Sequence, residues 1–309
     1  MSVLSRPYFH DEEKAFVYLE SVLWADGRAC PHCGGVDRIT KVKANPSKRI
    51  RLGLWRCGDC KRQFTVKVGT VFEHARLPLN KALQAVYLMT SSKKGISAHQ
   101  LHRVLEITYK SAWFLAHRIR EAMRTGELAP FGGEGGVVEI DETFIGRRGG
   151  VKMGRGGYAH KMAVFSLVHR ESGQARSFVV DNVTIKTLLP IIARNVDRET
   201  YIMTDKAPQY SGTYLYRTFL GHGAVDHTKG EYGRGRIHTN TVEGYFSIFK
   251  RGMKGVYQHC SEKHLHRYLA EFDFRYSHRE ANGCDDADRS VQALRGVAGK
   301  RLTYRRTHA

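Results

Sequence analysis

VVEID, residues 137–141, decides the fold class, because it is a short β-favouring run that leads from apolar residues into acids. Working outward from it, further β-rich runs follow, with one helical pattern before the last of them. These elements are HKMAVFSLVH (160–169), ARSFVVDN (175–182), the helical pattern through Leu188, Leu189 and Ile192, and YIMTD (201–205). Successive strands with a helical crossover predict a mixed α/β sheet. SEKHLHRYLAEFDFRYSHR has one apolar helical face and is expected to pack on that sheet.

Three acids stand where such a sheet would gather a site. Asp141 ends the first predicted strand, Asp205 ends YIMTD, and Glu243 lies near the start of a predicted helix. Strand ends and helix starts are where α/β folds place sites. Convergent carboxylates hold hard cations such as Mg²⁺, and two such ions can activate an attacking oxygen and stabilise a leaving phosphate-ester oxygen. Glu139 shares a strand face with Asp141, so the sequence alone leaves the choice between them open.

The segment HTNTVEGYFSIFKRG, residues 238–252, contains a row of polar residues at helical spacing. Asn240, Glu243, Ser247 and Lys250 fall on one face of a helix. A metal site explains the row, because Lys250 is then a phosphate-seeking cation two turns beyond Glu243. The alternative is a capping box, with Asn240 as the N-cap and Glu243 as the third helical residue.

The chain is strongly basic. Lys and Arg number 50 against 30 Asp and Glu among 309 residues, which gives a formal charge of +20. This excess favours a polyanionic partner such as DNA or RNA, although ribosomal and membrane-surface proteins share it. The N-terminal residues contain no apolar signal region, and no apolar run approaches the roughly 18 residues of a membrane span. We therefore expect a cytoplasmic protein with no membrane partner.

Cysteines occur as two Cys-x2-Cys pairs. Cys30 and Cys33 form the first pair, Cys57 and Cys60 form the second, and 23 residues lie between the pairs. Two such knuckles can present four thiolates tetrahedrally to zinc. Disulfides are the alternative, which a reducing cytoplasm disfavours. A site of four cysteines has no open coordination position, so the predicted zinc is structural.

A helical module follows the cysteines. Residues 95–123, GISAHQLHRVLEITYKSAWFLAHRIREAM, predict two helices separated near Glu106–Thr108. This is the layout of a helix-turn-helix, whose second helix could present basic side chains to a major groove. The candidate side chains are Lys110, His117, Arg118 and Arg120. An ordinary helical hairpin has the same pattern.

Two glycine-rich stretches punctuate the second half. GELAPFGGEGG, residues 126–136, is predicted to be a linker. GRRGGVKMGRGGYAHK, residues 146–161, combines basic side chains with glycines that permit close backbone approach, so we expect a mobile hairpin that contacts DNA. Its candidate contacts are Arg147, Arg148, Lys152 and Arg155. A merely solvated loop is the alternative.

Several motifs, in this order, resemble insertion-sequence transposases of the D-D-E class, in the branch with an N-terminal zinc ribbon. The motifs include WADGRACPHCG, LWRCGDCKRQFTVKVGTVFE, EIDETFIG, TDKAPQY and HTNTVEGYFSIFKRGMKGVY. The resemblance implies an α/β fold: a ribonuclease H-like mixed sheet with flanking helices, preceded by a zinc ribbon and a helix-turn-helix module. The domains it implies are an N-terminal helix (1–25), the zinc ribbon (26–75), the helix-turn-helix (76–125), the linker (126–136), the catalytic domain (137–280) and a basic C-terminal tail (281–309).

The resemblance also implies a site. It places the first two catalytic aspartates at Asp141 and Asp205, and Glu243 is assigned as the third ligand, with 37 residues between it and Asp205. Asn240 remains an alternative for this role, because an asparagine is sometimes given it in this branch. Lys250 would contact DNA phosphate. The implied cofactors are two Mg²⁺ or Mn²⁺ ions besides the structural zinc.

The resemblance implies DNA as the partner, both as the terminal inverted repeats of a transposon and as a target duplex, handled by a homodimer or larger assembly at the bacterial nucleoid. The expected activity is transposition: hydrolysis at a transposon end frees a 3′-hydroxyl, which then attacks target DNA. Two alternatives stay open. One is a non-catalytic zinc-ribbon regulator that binds DNA, and the other is a general Mg²⁺-dependent nuclease of the same fold.

Overall fold

The computed structural model describes residues 2–126, 129–154, 157–210 and 213–303. The chain divides into two compact units. One contains Met1–Arg124 together with Asp285–Ala309, and the other contains Thr125–Cys284. We describe each by itself, beginning with the unit that contains the three acids.

The second unit is built on a five-stranded mixed sheet. Its strands are β4 (Val137–Ile145), β5 (Met162–His169), β6 (Ala175–Val180), β7 (Tyr201–Asp205) and β8 (Gly221–Val225). They lie in the order β6-β5-β4-β7-β8. β4, β5 and β6 are antiparallel, whereas β7 and β8 run parallel to β4. This order and these directions confirm the predicted ribonuclease H-like sheet.

Helices cover both faces of this sheet. They are α5 (Ile185–Asn195), α6 (Tyr214–Thr218), α7 (Asn240–Gly252) and α8 (Glu262–Ser277), with a π-helical turn at Met253–Tyr257. One apolar cluster joins strand residues such as Ile140 to α5 and α6. The other joins strand residues such as Val164 to α7 and α8. The sheet is therefore buried on two sides, which explains why β5 is almost continuously apolar.

β4 is longer than the sequence predicted. Its antiparallel pairing with β5 continues to Ile145, opposite Met162, whereas its parallel pairing with β7 extends from Val137 to Glu139. Asp141 therefore lies within a strand rather than at its end. It stands just beyond the point where the recorded β4–β7 pairing stops, so β5 supports its backbone on one side.

The first unit contains a small sheet and several helices. Its elements through residue 123 are α1 (Glu12–Leu23), β1 (Ile39–Lys41), β2 (Trp55–Cys57), β3 (Gln63–Phe64), α2 (Leu79–Ser91), α3 (Ala98–Leu105) and α4 (Tyr109–Met123). The three strands form an antiparallel sheet around the cysteines. α3 ends where Glu106 adopts a left-handed conformation, and Thr108 caps α4. The break between the two helices is where the sequence predicted it.

The C-terminal part of the chain differs from the predicted tail. Residues Asp286–Arg295 form helix α9, which packs against α2 in the first unit. Arg289 donates a hydrogen bond to the carbonyl of Thr90 at 3.2 Å, and Val71 N donates to Val297 O at 3.0 Å. The buried residues Ala293, Leu294 and Val297 explain the difference, because they supply an apolar face within an otherwise polar segment.

Among the described residues, no helix combines the length and apolar character needed to cross a membrane.

Candidate active site

Asp141 and Asp205 occupy equivalent positions on two neighbouring strands, just beyond the last pair of β4 with β7. The parallel pairing of β4 with β7 sets Glu139 opposite Met203, and both aspartates come two residues later on their strands. Side chains two apart share a strand face. The same face of β4 includes Ile145, which belongs to the apolar cluster with α7. Both aspartates are thus directed to the side of the sheet that α7 covers.

The environment of Asp141 shows that negative charges converge on it. Burial, reinforced by the negative charges of Glu142, Asp205 and Glu243, raises the pKa of Asp141 to about 8. Burial also raises the pKa of Asp205, and the charge of Glu243 acts in the same direction. Within the described chain, neither aspartate has an ion-pair partner. The three predicted ligands therefore lie near enough for their charges to repel one another, and a cation among them would reduce that repulsion.

Glu142 is a further acid near this site that the sequence did not single out, and it lies on the opposite face of β4 from Asp141. Tyr210 donates to Glu142 Oε2 at 2.7 Å, and Gln209 donates to Oε1 at 2.5 Å. Burial raises the pKa of Glu142, and the charge of Asp205 adds to the effect. Gln209 and Tyr210 come four and five residues after Asp205 in the motif TDKAPQY. This pair of hydrogen-bond donors after a strand-end acid was the sequence feature that could have pointed to Glu142.

Glu243 projects from the first turns of α7. Thr239 Oγ1 donates to its Oε1 at 2.8 Å, and His227 Nε2 lies 3.3 Å from the same oxygen. The side chain is 43% exposed, so it can still accept a ligand from solvent. His227 was not selected from the sequence, because a histidine after a short strand is an ordinary surface residue until the fold places it beside α7.

The capping interpretation of Asn240 is wrong. The N-cap of α7 is Thr239, and Asn240 is the first helical residue, with an exposed side chain. Glu243, Ser247 and Lys250 follow on the same helix as predicted, and Lys250 is half-buried, with its Nζ 5.9 Å from the centre of the Phe246 ring. At 1.5 Å per residue, Lys250 lies about 10 Å along the axis from Glu243.

Glu139 and Asp141, between which the sequence left the choice open, differ in their partners. Glu139 is fully buried, and its Oε2 accepts hydrogen bonds from the backbone N–H groups of Thr241 and Val242 at 2.7 and 2.9 Å. These groups belong to the first turn of α7, where unsatisfied N–H groups attract an acid. The carboxylate of Glu139 is therefore occupied by the start of α7, whereas that of Asp141 makes no such contact with the helix.

A buried polar network holds the middle of α7. Tyr245 on α7 donates to Asp273 Oδ1 on α8 at 2.6 Å, and Ser177 N on β6 donates to Asp273 Oδ2 at 2.8 Å. Burial raises the pKa of Asp273 to about 6. Tyr245 is hydrogen-bonded to α8 through Asp273 and to β6 through Ser177. These bonds fix the rotation of α7, which carries Glu243, about its axis.

The four predicted zinc ligands converge in the first unit. The Sγ atoms of Cys30, Cys33, Cys57 and Cys60 all lie within 4.8 Å of one another, and the Cys30–Cys60 and Cys33–Cys57 pairs are each 3.7 Å apart. A tetrahedron with zinc–sulfur bonds of about 2.3 Å has edges of about 3.8 Å, whereas a disulfide needs about 2 Å. The residues fit zinc and exclude the disulfide alternative. In the described residues, no other set of three or more His, Cys, Asp or Glu is gathered this tightly.

The structure corrects part of the predicted DNA surface on α4. Arg118 is 8% exposed and donates to the carbonyl of Glu73 at 3.0 Å, so it is not available to a groove. His117 and Arg120 are buried as well. Lys110 is exposed in the first turn of α4, which is the part of a recognition helix that reaches base edges. The predicted contacts in the second half of α4 are unavailable because α4 is buried along most of its length and exposes only its first turn.

The basic side chains of the loop between β4 and β5 differ in their exposure. Arg147 and Lys152 are exposed. Arg148 is engaged inside the unit: its Nη2 lies 3.0 Å from Glu262 Oε1 and 3.5 Å from Asp181 Oδ1. Its predicted role as a DNA contact therefore competes with a structural one. Arg155 lies outside the described residues.

Comparisons with known proteins agree with this architecture. The sequence matches the ISXO2-like transposase domain over residues 134–277 and the transposase zinc-ribbon domain over residues 10–63. A protein of Halobacterium salinarum, described as an uncharacterized protein in transposable element ISH50, is 30% identical in an alignment of 281 positions that covers 86% of this chain and 91% of that one.

Two solved structures are also similar. The catalytic core domain of BIV integrase is 16% identical, over 44% of this chain and 80% of that chain, with a TM-score of 0.29. A simian T-cell lymphotropic virus intasome, in complex with PP2A regulatory subunit B56 gamma, is 15% identical, over 62% and 65%, with a TM-score of 0.30. The fold assignment depends on the strand order and the domain match, to which these likenesses add no argument.

A ribonuclease H-like sheet with clustered acids on its central strands, combined with a separate zinc ribbon, defines a nucleic-acid-processing enzyme of the transposase class. Within that class, the extent of the match to the ISH50 protein and the two domain matches identify the family. The chain belongs to the IS1595 family of insertion-sequence transposases.

Proposed function

We propose that this protein binds the ends of its transposon, hydrolyses a phosphodiester there with the help of divalent metal ions, and transfers the freed end into target DNA. The observation that supports this most directly is that burial, reinforced by the negative charges of Glu142, Asp205 and Glu243, raises the pKa of Asp141 to about 8. A protein whose function was only to bind DNA would gain nothing from such a destabilising acidic group.

The side chains at this site fit hard divalent cations. Their donors are carboxylate oxygens, which Mg²⁺ and Mn²⁺ prefer, and among the described residues neither aspartate forms an ion pair. Asp141, Asp205 and Glu243 would hold two ions, and Glu142, on the opposite face of β4, would add negative charge near Asp141. When bound, such ions activate the attacking oxygen and stabilise the leaving one.

The protein's own residues would act on the DNA backbone. Lys250 stands on the exposed stripe of α7 beyond Glu243, where its ammonium group can neutralise a phosphate. Hydrolysis at the transposon end leaves a 3′-hydroxyl, and the same acids would then serve its attack on a target phosphodiester. No covalent enzyme intermediate is needed, because water and the 3′-hydroxyl are the two nucleophiles in turn.

The zinc ribbon and the helices of the first unit would recognise the terminal inverted repeats. The formal charge of +20 supports strong, salt-sensitive binding to DNA, and Lys110 and the exposed Arg147 and Lys152 are the candidate contacts on their respective units. Because two ends must be joined to one target, we expect a homodimer or larger assembly on DNA, located at the nucleoid in the cytoplasm.

Alanine in place of Asp205 tests the catalytic proposal. We expect the variant to bind labelled end DNA like the unaltered protein and to lose strand cleavage in Mg²⁺ or Mn²⁺. A DNA-binding regulator would be indifferent to the change. Comparing duplexes with and without the inverted repeats distinguishes the remaining alternative, since a general nuclease would cleave both equally.

A further inference from the structure

We propose that Glu139 and Arg170 form a clamp that positions α7, and with it Glu243, relative to Asp141. They are positioning residues for metal binding, so the inference rests on the proposed function. The clamp is defined here as the side chains of Glu139 and Arg170 with the backbone groups that they bind in residues 236–242.

Glu139 connects the central strand to the start of α7 through both of its oxygens. Oε2 accepts the backbone N–H groups of Thr241 and Val242, and Oε1 accepts the hydroxyl of Thr241 at 2.8 Å. The acid therefore takes the place of an N-cap side chain, although it comes from a strand about a hundred residues earlier in the sequence. Thr239, at the N-cap position itself, uses its hydroxyl on Glu243 instead.

Arg170 completes the clamp from the residue that follows β5. Its Nε donates to Glu139 Oε1 at 2.5 Å, its Nη1 donates to the carbonyl of Arg236 at 2.7 Å, and its Nη2 donates to the carbonyl of His238 at 2.7 Å. One planar guanidinium thus holds the acid and the chain segment that leads into α7. A lysine, with a single ammonium group, could not reproduce this fork.

The geometry of the clamp bears on the metal ligands because of where its ends lie. Glu139 is two residues from Asp141 on one strand, and Val242 immediately precedes Glu243 on the helix. The hydrogen bonds between them fix the start of the helix against the strand. Substituting residues that orient metal ligands without contacting the metal typically lowers metal affinity by about 10–100-fold.

A matched control is available in the same unit. Glu271 and Arg275 form a second ion pair whose acid, like Glu139, is fully buried, and Tyr257 donates to Glu271 at 2.5 Å. This pair lies along α8, whereas the clamp joins β4 to α7. Glu271→Gln therefore reproduces the general cost of removing a buried charge without touching the start of α7.

The experiment measures binding of Mn²⁺ to the full-length protein by electron paramagnetic resonance, without DNA. The difference between the unaltered protein and Asp141→Asn defines binding at the acids. We expect Glu139→Gln to weaken that binding by about 10–100-fold. Hydrogen exchange at the amides of residues 240–243 should become faster in the same variant. Glu271→Gln should change neither, and end binding in a gel-shift assay should be retained by both variants.

Thr241→Val serves if Glu139→Gln does not fold. Valine keeps the branched shape and both backbone N–H groups but removes the hydroxyl that Glu139 accepts, so Mn²⁺ binding should weaken by about fivefold, the effect of one ordinary hydrogen bond. Unchanged Mn²⁺ binding in the folded clamp variants, or equal weakening in Glu271→Gln, overturns the clamp alone. If Asp141→Asn removes no Mn²⁺ binding, the proposed function fails together with the clamp.

Discussion

Replacing Asp141 with asparagine should stabilise the metal-free protein while abolishing catalysis. The pKa of Asp141 is raised from an ordinary value of 3.8 to about 8 in the folded state. A raised carboxyl pKa means that folding stability is fully present below the unfolded pKa and is lost as the pH rises through the folded pKa. Asparagine has no charge to bury, and its side-chain oxygen can still accept the hydrogen bond that Glu142 N donates to Asp141 at 2.7 Å.

The size of the effect follows from the two pKa values. With 1.36 kcal/mol per pKa unit, the carboxyl costs about 3 kcal/mol of folding free energy at pH 6 and about 5 kcal/mol at pH 8. The repulsion of Asp141 by Glu142, Asp205 and Glu243 is already part of the raised pKa of Asp141, so it adds nothing further to this cost. For a unit of this size, each kcal/mol raises the midpoint of thermal unfolding by about 2–4 °C, so the shift at pH 8 should be on the order of 10 °C.

Differential scanning calorimetry at pH 6 and pH 8, without added divalent ions, measures this stability. The range stops at pH 6 because the zinc thiolates must stay deprotonated. Asp181→Asn is the matched control, since Asp181 is 91% exposed and its pairing with Arg148 is worth less than about 1 kcal/mol. A variant at Asp141 that is no more stable than the unaltered protein at pH 8, or equally stabilised at both pH values, would refute the reasoning.

Three further predictions concern separate parts of the chain. Cys57→Ser should lower the bound zinc, measured by atomic absorption, below one ion per chain and abolish end binding, because the small ribbon depends on its metal to fold. Lys250→Ala should lower strand cleavage by about 10-fold or more with end binding intact, measured on pre-cleaved and intact labelled ends. Lys110→Ala should weaken end binding and reduce its salt dependence by about one counterion, whereas Arg118→Ala should instead lower the thermal midpoint, because Arg118 is buried.

Much of the fold could be predicted because strand texture and cysteine spacing are local signals. β7 coincides with the predicted YIMTD, and the four cysteines meet as their spacing indicated. β8 was missed, since GHGAV contains two glycines and no alternating pattern, and it becomes a strand only because β7 offers it a parallel partner. Helix α9 was missed for a similar reason. It contains few apolar residues, and they are buried only because α9 packs against α2, which is distant in the sequence.

The sequence predicted which acids lie near the candidate site, but it could not predict which of them binds the start of α7 and which is available to a metal ion. Glu139 and Asp141 occupy the same face of one strand, and nothing in EIDE separates a metal ligand from a helix cap. The separation comes from α7: its first N–H groups bind Glu139, and its exposed stripe brings Glu243 towards Asp141. Since the partner of each acid lies about a hundred residues away, the choice depends on tertiary contacts. For the same reason, damage to the start of α7 should reach the acidic site even though no predicted ligand is changed.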